Sequence, residues 1–142
     1  MSACTSRGCS KRSRRRLQTA FIAMAMGEDP HLDDVLDAIK DGARAAGVKA
    51  HRLDEEHSNS PIMARVMNAI AACDLVIVDL TLERTNVYYE AGFAAGIGKT
   101  PVFIAASDVR IPFDLKDHPV IHYKNLRSLR QLLAERLRGL RQ

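Results

Sequence analysis

Two carboxylates eleven residues apart, Asp79 and Glu90, are the side chains of this sequence best suited to chemistry. Asp79 ends the apolar run 75–78, which is typical of a strand buried on both faces of a parallel sheet. Open α/β sheets bind ligands at the carboxyl ends of their strands. Glu90 lies in an otherwise apolar helical segment. Burial of a carboxylate there is energetically costly unless the group is paired or hydrogen-bonded, so its presence suggests a function. The spacing therefore predicts that the two carboxylates lie together at the ligand-binding edge of the sheet.

Each carboxylate also has a purely structural interpretation. Asp79 can cap a turn through Thr81, and Glu90 can pair with Arg84 or Lys99. Both interpretations must hold at once for the region to lack a site. Further polar side chains follow at the same predicted edge, and the coincidence favours a site.

The surrounding sequence predicts the elements that would position these residues. Five apolar runs are typical of strands: 19–26, 48–53, 75–78, 101–105 and 120–123. Helical spacing of apolar residues predicts helices between and after them, with inward faces formed by Leu32, Val35, Leu36, Ile39 and Ala43, by Ile62, Val66, Met67 and Ile70, and by Leu126, Leu129, Leu133 and Leu137. Gly47 should end the first helix, and Ser60-Pro61 should begin the second.

Strands that alternate with helices require a parallel sheet with right-handed crossovers. The prediction is therefore one α/β domain over residues 17–142, with a sheet of about five parallel strands and helices on both faces, a flavodoxin-like three-layer sandwich. A chain of 142 residues is long enough to bury a core of this kind.

The basic character of the chain is concentrated at its start. Residues 1–16 contain six of the 21 basic side chains and no acid, so the rest has 15 basic and 17 acidic side chains, a net charge of −2. We expect this tail to be disordered, because it is too polar to bury its own surface. A basic arm that binds a polyanion is the alternative, and any attraction to nucleic acid would reside there.

Several other kinds of site or segment are not expected. The tail and the apolar run after it imitate a signal peptide, but the run is equally typical of a first buried strand. No segment has the length of a membrane span. An odd number of cysteines, two of them in the tail, implies no disulfide framework and favours a reducing cytoplasm. The scattered histidines and cysteines lack zinc-ligand spacing, so no metal is expected.

The Gly98-Lys99-Thr100 sequence imitates a phosphate-binding loop. The pattern requires glycine at the position that Phe93 occupies, and a phosphate loop follows a strand and opens a helix. Here the three residues close a helix and open a strand, so we predict helix termination.

Four blocks of the sequence resemble the small TIR-like nucleotide-binding proteins allied to the nucleoside 2-deoxyribosyltransferases: FIAMAM at 21–26, DLVIVDLT at 74–81, NVYYEAGFAAGIGKTPVFI at 86–104 and IPFDLKDHPVIHY at 111–123. The resemblance covers nearly everything after the tail. Enzymes of this wider group cleave N-glycosidic bonds of nucleosides, nucleotides or NAD, and Glu90 matches their catalytic glutamate. Asp79 would hold a sugar hydroxyl or pass a proton to the base.

The resemblance also implies a set of substrate-binding residues. The loop after the first strand, with Met24, Ala25 and Met26, would cover the base or the sugar, although its apolar character departs from the deoxyribosyltransferases and leaves the substrate open. Ser60 and the amides that open its helix would bind a phosphate, since helix N-termini attract anions, with help from Arg52 or Arg84. The remaining substrate-binding residues would be Thr81, Asn86 and Tyr89.

The expected function is cleavage of the base–ribose bond of a nucleotide-type substrate by a cytoplasmic N-glycoside hydrolase or transferase that requires no cofactor. The substrate is a nucleoside monophosphate, a deoxynucleoside or NAD. A homo-oligomer is implied, because enzymes of this group often complete a pocket across a subunit contact. The alternatives are a non-catalytic nucleotide sensor or assembly module that uses the same pocket, and a nucleic-acid-associated protein that uses the tail, whose binding would fall steeply with salt.

Overall fold

The structure is a computed structural model that describes residues 18–53, 62–111, 115 and 118–140. In this part of the chain, strands and helices follow one another in the order β1 (Thr19–Ala23), α1 (Pro30–Ala45), β2 (Lys49–His51), α2 (Ile62–Ala72), β3 (Leu75–Asp79), α3 (Thr85–Gly96), β4 (Thr100–Ala106), β5 (Val120–Tyr123) and α4 (Leu126–Leu140).

The five strands form one sheet in the order β2-β1-β3-β4-β5, and every neighbouring pair is parallel. This is the flavodoxin-like order, and it confirms the fold predicted from the sequence. The chain leaves β1 toward β2 on one side, and β3 lies on the other side of β1. The loops that follow β1 and β3 therefore flank the point where the strand order reverses, which is where sheets of this type bind ligands.

Helices cover both faces of the sheet. Along β3, Leu75 and Ile77 pack into the core that contains α1 and α4, whereas Val76 and Val78 pack into the core that contains α2 and α3. Successive side chains of a strand point to opposite faces, so each residue of this fully buried strand belongs to one core or the other.

Local sequence explains where the helices begin and end. Asp29 caps α1, because its carboxylate accepts a hydrogen bond of 2.9 Å from the backbone N–H of His31, and Pro30 occupies the first turn. Gly47 follows α1 with a φ of 75°, as predicted. Gly98 has a φ of 82° between α3 and β4, which confirms helix termination at the Gly-Lys-Thr sequence.

The predicted bounds differ from the observed ones mainly at the edge of the sheet. The first strand ends at Ala23, so residues 24–26 belong to a loop. The strand β2 pairs with β1 alone and is three residues long. The predicted inward orientation of Ile62 is wrong: it is 51% exposed, because it lies in the first described turn of α2, at the cavity and not in the core. Met67 is only partly buried, and Val66 and Ile70 form the inward face of this helix.

Some of the sequence predictions lie outside the described residues. They concern the basic tail with Cys4 and Cys9, and the helix start at Ser60-Pro61. Among the residues that are described, no helix combines the length and apolar character needed to cross a bilayer, and no three His, Cys, Asp or Glu side chains are grouped as metal ligands would be.

Candidate active site

A cavity of about 220 Å³ lies at the carboxyl edge of the sheet, on the face covered by α2 and α3. Its walls come from β1 and the loop after it, the segment after β2, α2 and α3. The cavity is smaller than the roughly 300–1,000 Å³ that is typical of small-molecule sites. It occupies the place where this strand order favours ligand binding.

Most of the wall is apolar. Phe21, Ile22 and Met24 line the inner side, and Val66 closes it from α2. At the mouth, three large apolar side chains remain well exposed: Met26, Ile62 and Met63. Exposed apolar side chains grouped around a concave site are a feature of ligand-binding surfaces.

Glu90 contributes the acidic group of this cavity. It lies in the second turn of α3 and is only 8% exposed, and no described residue donates a hydrogen bond to its carboxylate. Burial alone raises the pKa of Glu90 from 4.5 to about 7. The ion pair with Arg84 or Lys99 that the sequence allowed does not form within the described part of the chain. The carboxyl group therefore titrates near neutral pH beside an apolar cavity.

Two further polar side chains face the same cavity. Asn86 precedes Glu90 by one turn of α3, so the two side chains lie on the same side of the helix. Arg52 follows the end of β2 and is partly buried, and its Nε–H has no hydrogen-bond partner in the described structure. The cavity thus presents an amide, a carboxyl group and a guanidinium within otherwise apolar walls.

Asp79 is not brought into this cavity. It is the last residue of β3 and shares a strand face with Leu75 and Ile77, which pack toward α1 and α4. Its Oδ1 accepts hydrogen bonds from the backbone N–H of Thr81 at 3.0 Å and from the Thr81 hydroxyl at 2.6 Å. Asp79 therefore caps a turn through Thr81, which is the structural alternative considered for it in the sequence.

Thr81 extends this contact to the neighbouring strands. Its Oγ1 accepts a hydrogen bond of 3.1 Å from the backbone N–H of Ala106, and it lies 3.1 Å from the hydroxyl of Tyr123. Because the Thr81 hydroxyl proton goes to Asp79, Tyr123 must be the donor in the second contact. The network connects the carboxyl ends of β3, β4 and β5.

The pKa values in this network follow from burial and charge. Burial raises the pKa of Asp79, and the hydrogen bonds from Thr81 oppose that rise. Burial, followed by the nearby Asp79, raises the pKa of Tyr123 to about 12, so the phenol remains a donor at neutral pH. These side chains stabilise one another without a ligand.

The other predicted site residues divide between the cavity and its surroundings. Met24, Met26 and Asn86 line the cavity with Glu90, whereas Ala25 is buried outside its wall. Tyr89 is 55% exposed and does not line the cavity, and Thr81 lies with Asp79. Ser60 lies outside the described residues.

The sequence prediction missed part of the apolar wall. Leu53, Ile62 and Met63 line the cavity, although the first was assigned to a strand and the second to a helix core. The available signal was their position, since these apolar residues flank the polar segment 54–59, which connects β2 to α2 at the ligand-binding edge of the sheet.

Solved structures with a similar architecture include proteins of different functional classes. A CMP N-glycosidase from Clostridium botulinum aligns with a TM-score of 0.64 and 18% identity over 82% of this chain and 98% of that one. The TIR domain of a Toll-related receptor from Hydra magnipapillata aligns with a TM-score of 0.66 and 15% identity over 87% and 98%. A 2-deoxyribosyltransferase from Bacillus psychrosaccharolyticus aligns with a TM-score of 0.59 and 15% identity over 79% and 90%.

The chain shares the fold of these proteins. At such low identities the likeness establishes the fold and no activity. No protein-family model matches the sequence, and no characterised protein matches it in a sequence comparison.

Proposed function

We propose that this protein is an N-glycosidase that cleaves the bond between base and ribose in a nucleotide-type substrate, with Glu90 as the attacking carboxylate. The observation that carries the proposal is the state of Glu90: it is buried, it has no hydrogen-bond donor in the described structure, and it faces a cavity at the ligand-binding edge of the sheet. Strongly perturbed carboxyl groups in clefts are characteristic of active sites. The fold shared with a CMP N-glycosidase and a 2-deoxyribosyltransferase supports this reaction class by analogy.

The reaction uses a carboxylate at carbon one of the ribose. As the bond from carbon one to the base nitrogen breaks, its electron pair leaves with the base, and carbon one gains positive charge. An oxygen of Glu90 bonds to that carbon or stabilises its charge. Water then attacks carbon one, and where Glu90 has bonded to that carbon, this bond breaks and its electron pair returns to the carboxylate. The hydroxyl of the water remains on the sugar, and its proton neutralises the released base.

The remaining cavity residues have roles that match their chemistry. The Asn86 amide, one turn from Glu90, hydrogen-bonds a sugar hydroxyl next to the reacting carbon. Met24 and Met26 provide apolar, polarisable surface for the base. Asp79 lies outside this cavity, and its carboxylate is already bound by Thr81, so its role is structural.

The test measures release of free base from NAD and from a panel of ribo- and deoxyribonucleosides and their monophosphates. We expect Glu90→Gln to lower the rate at least about a hundredfold, because an amide can neither attack carbon one nor balance its charge. Glu135→Gln, which makes the same change at an exposed position of α4, is the matched control and should retain activity. Base release that survives Glu90→Gln would contradict the assignment.

The pH dependence gives a second readout of the same carboxyl group. An attacking carboxylate must be ionised, and the pKa of Glu90 is about 7. The rate constant kcat/KM should therefore rise between about pH 6 and about pH 8. A rate that falls over this range would indicate that Glu90 acts as a proton donor. Saturable nucleotide binding without any base release would favour the nucleotide sensor.

A further inference from the structure

A basic cleft of about 570 Å³ lies at the outer edge of the sheet, beside β2. Its described lining contains three cationic side chains, one imidazole and no acid: Lys40, Arg44, Lys49 and His51, with Gln18, Gly47, Val48 and Ala50. The chain after residue 16 has more acidic than basic side chains, so composition does not explain a cleft lined in this way.

Two elements bring these basic side chains together. Lys40 and Arg44 are about one turn apart in the C-terminal part of α1, so they share one side of that helix. Lys49 and His51 begin and end β2 and lie on the same face of the strand, on either side of the buried Ala50. The cleft therefore has positive charge on its helix wall and on its strand wall.

Contacts within the protein explain only part of this charge. Arg44 forms an exposed ion pair of 3.2 Å with Asp41, and it lies in the last turn of α1, where the helix dipole favours a cation. Lys40 and Lys49 form no ion pair with any described residue. These two ammonium groups can therefore contact an anionic partner without losing such a pair.

The cleft fits a duplex nucleic acid better than a protein. Protein interfaces depend on large apolar or aromatic anchors, and none of the exposed large apolar side chains of the described residues lines the cleft. A lysine on an edge strand, such as Lys49, also discourages pairing with a strand of another protein. Single strands bind by stacking on aromatic side chains, but no Phe or Tyr lines the cleft. The phosphates of a duplex require only cations and N–H donors.

The start of the chain adds positive charge beside the same cleft. Residues 1–16 contain six basic side chains and no acid, and Gln18, two residues after them, lines the cleft. A polyanion bound in the cleft is therefore within reach of these side chains.

We propose that this cleft binds the phosphate backbone of duplex nucleic acid, and that Lys40 and Lys49 are the contacts that the folded domain adds to those of the tail. Phosphate contacts carry no sequence information, so the binding is nonspecific. The sequence assigned any attraction to nucleic acid to the tail alone, and the cleft extends this attraction to the folded domain. The cleft and the Glu90 cavity share no lining residue, so the proposal does not depend on the N-glycosidase.

The experiment measures binding of the full chain to a labelled DNA duplex by fluorescence anisotropy, at salt concentrations from about 50 mM to about 200 mM. The slope of log affinity against log salt concentration reports the number of phosphates contacted, at about 0.9 for each. The double variant Lys40→Gln/Lys49→Gln should lower the magnitude of this slope by about 2 and weaken binding at least about tenfold at the lowest salt concentration. The double variant Lys40→Arg/Lys49→Arg keeps both charges and should retain the slope of the wild type.

The matched control is Lys124→Gln/Arg127→Gln, which removes the same charge from exposed positions after β5, at the opposite edge of the sheet. This control and Glu90→Gln should bind the duplex as the wild type does. Thermal unfolding followed by circular dichroism should give the same midpoint for both glutamine double variants, so that a difference in binding does not reflect lost folding.

Four outcomes would overturn the proposal. The wild type does not bind the duplex, or Lys40→Gln/Lys49→Gln leaves the slope unchanged, which would assign binding to the tail. The control loses as much binding as the cleft variant, which would show an effect of net charge alone. Poly-L-glutamate competes as well as an unlabelled duplex of equal charge, which would indicate a surface for acidic proteins.

Discussion

The ionisation of Glu90 should destabilise the folded protein, and this effect can be measured without knowing the substrate. The pKa of Glu90 is about 7 in the folded state against an ordinary value of 4.5, because burial disfavours the charged form. The folded state therefore holds a proton that the unfolded state releases. The contribution of this group to stability is fully present below about pH 4.5 and is lost as the pH rises through about 7.

The magnitude follows from the distance between the two pKa values. Each pKa unit corresponds to about 1.4 kcal/mol, so the loss is at most about 3 kcal/mol. The cavity opens to solvent at its exposed rim of Met26, Ile62 and Met63, which screens part of the charge, and about 1–3 kcal/mol is a better range. Glu90→Gln removes the charge and keeps the shape. Its midpoint of thermal unfolding should exceed that of the wild type by about 3 °C or more above pH 8.

The assay is thermal unfolding of both proteins across about pH 5 to about pH 9, followed by circular dichroism. Near pH 5 the carboxyl group is still protonated in the folded state, so the gap between the two midpoints should be small there. The gap should widen as the pH rises and level off above about pH 7. Glu135→Gln, on the surface of α4, should show no such gap. A difference between Glu90→Gln and the wild type that does not change with pH would refute the reasoning, since it would reflect packing and not ionisation.

Two further predictions concern stability. Thr81→Val should lower the free energy of unfolding by about 2–3 kcal/mol, because it leaves three hydrogen-bond partners unsatisfied. Thr81→Ser keeps the hydroxyl and should cost less. Equal losses for the two variants, measured by urea unfolding, would contradict the role of the hydroxyl. Gly42→Ala should destabilise the protein by about 1–3 kcal/mol, because a Cβ would lie 2.9 Å from a backbone oxygen of α4. In Gly92→Ala the new Cβ meets no atom within 4 Å, so the helix should become more stable by up to about 1 kcal/mol. The same unfolding series compares them, and a stabilising Gly42→Ala would show that α4 moves aside.

Sequence patterns predict the interior of the fold better than its edges. The apolar run before Asp79 requires a strand buried on both faces, and β3 is buried at every position. Near the ends of strands the same apolar pattern predicts strands that are too long. Residues 24–26 are as apolar as a strand, yet β1 ends at Ala23, and Met24 and Met26 turn their side chains to the cavity. An apolar side chain serves equally well in a core and in a ligand-binding wall, and hydrophobicity alone does not separate the two.

The edge at which Asp79 and Glu90 lie was predictable, but the face of the sheet was not. Alternation along β3 places Asp79 with Leu75 and Ile77, but the core that receives these side chains depends on which helices cover that face. The helix that bears Glu90 packs on the other face. The sequence spacing therefore predicts correctly that both carboxylates lie at one edge of the sheet, but they lie on opposite faces of it.

The difference between these two carboxylates is the strongest argument for a site at Glu90. Asp79 and Glu90 are each 8% exposed, so water reaches them about equally little. Two hydrogen bonds from Thr81 compensate for the burial of the Asp79 carboxylate, so no ligand is needed to explain it. Glu90 has no such donor in the described structure, and it faces a cavity that also contains the unpartnered Nε–H of Arg52. Burial of a carboxyl group without a donor costs folding free energy, and a group retained at such a cost is the one expected to contact a ligand in this cavity.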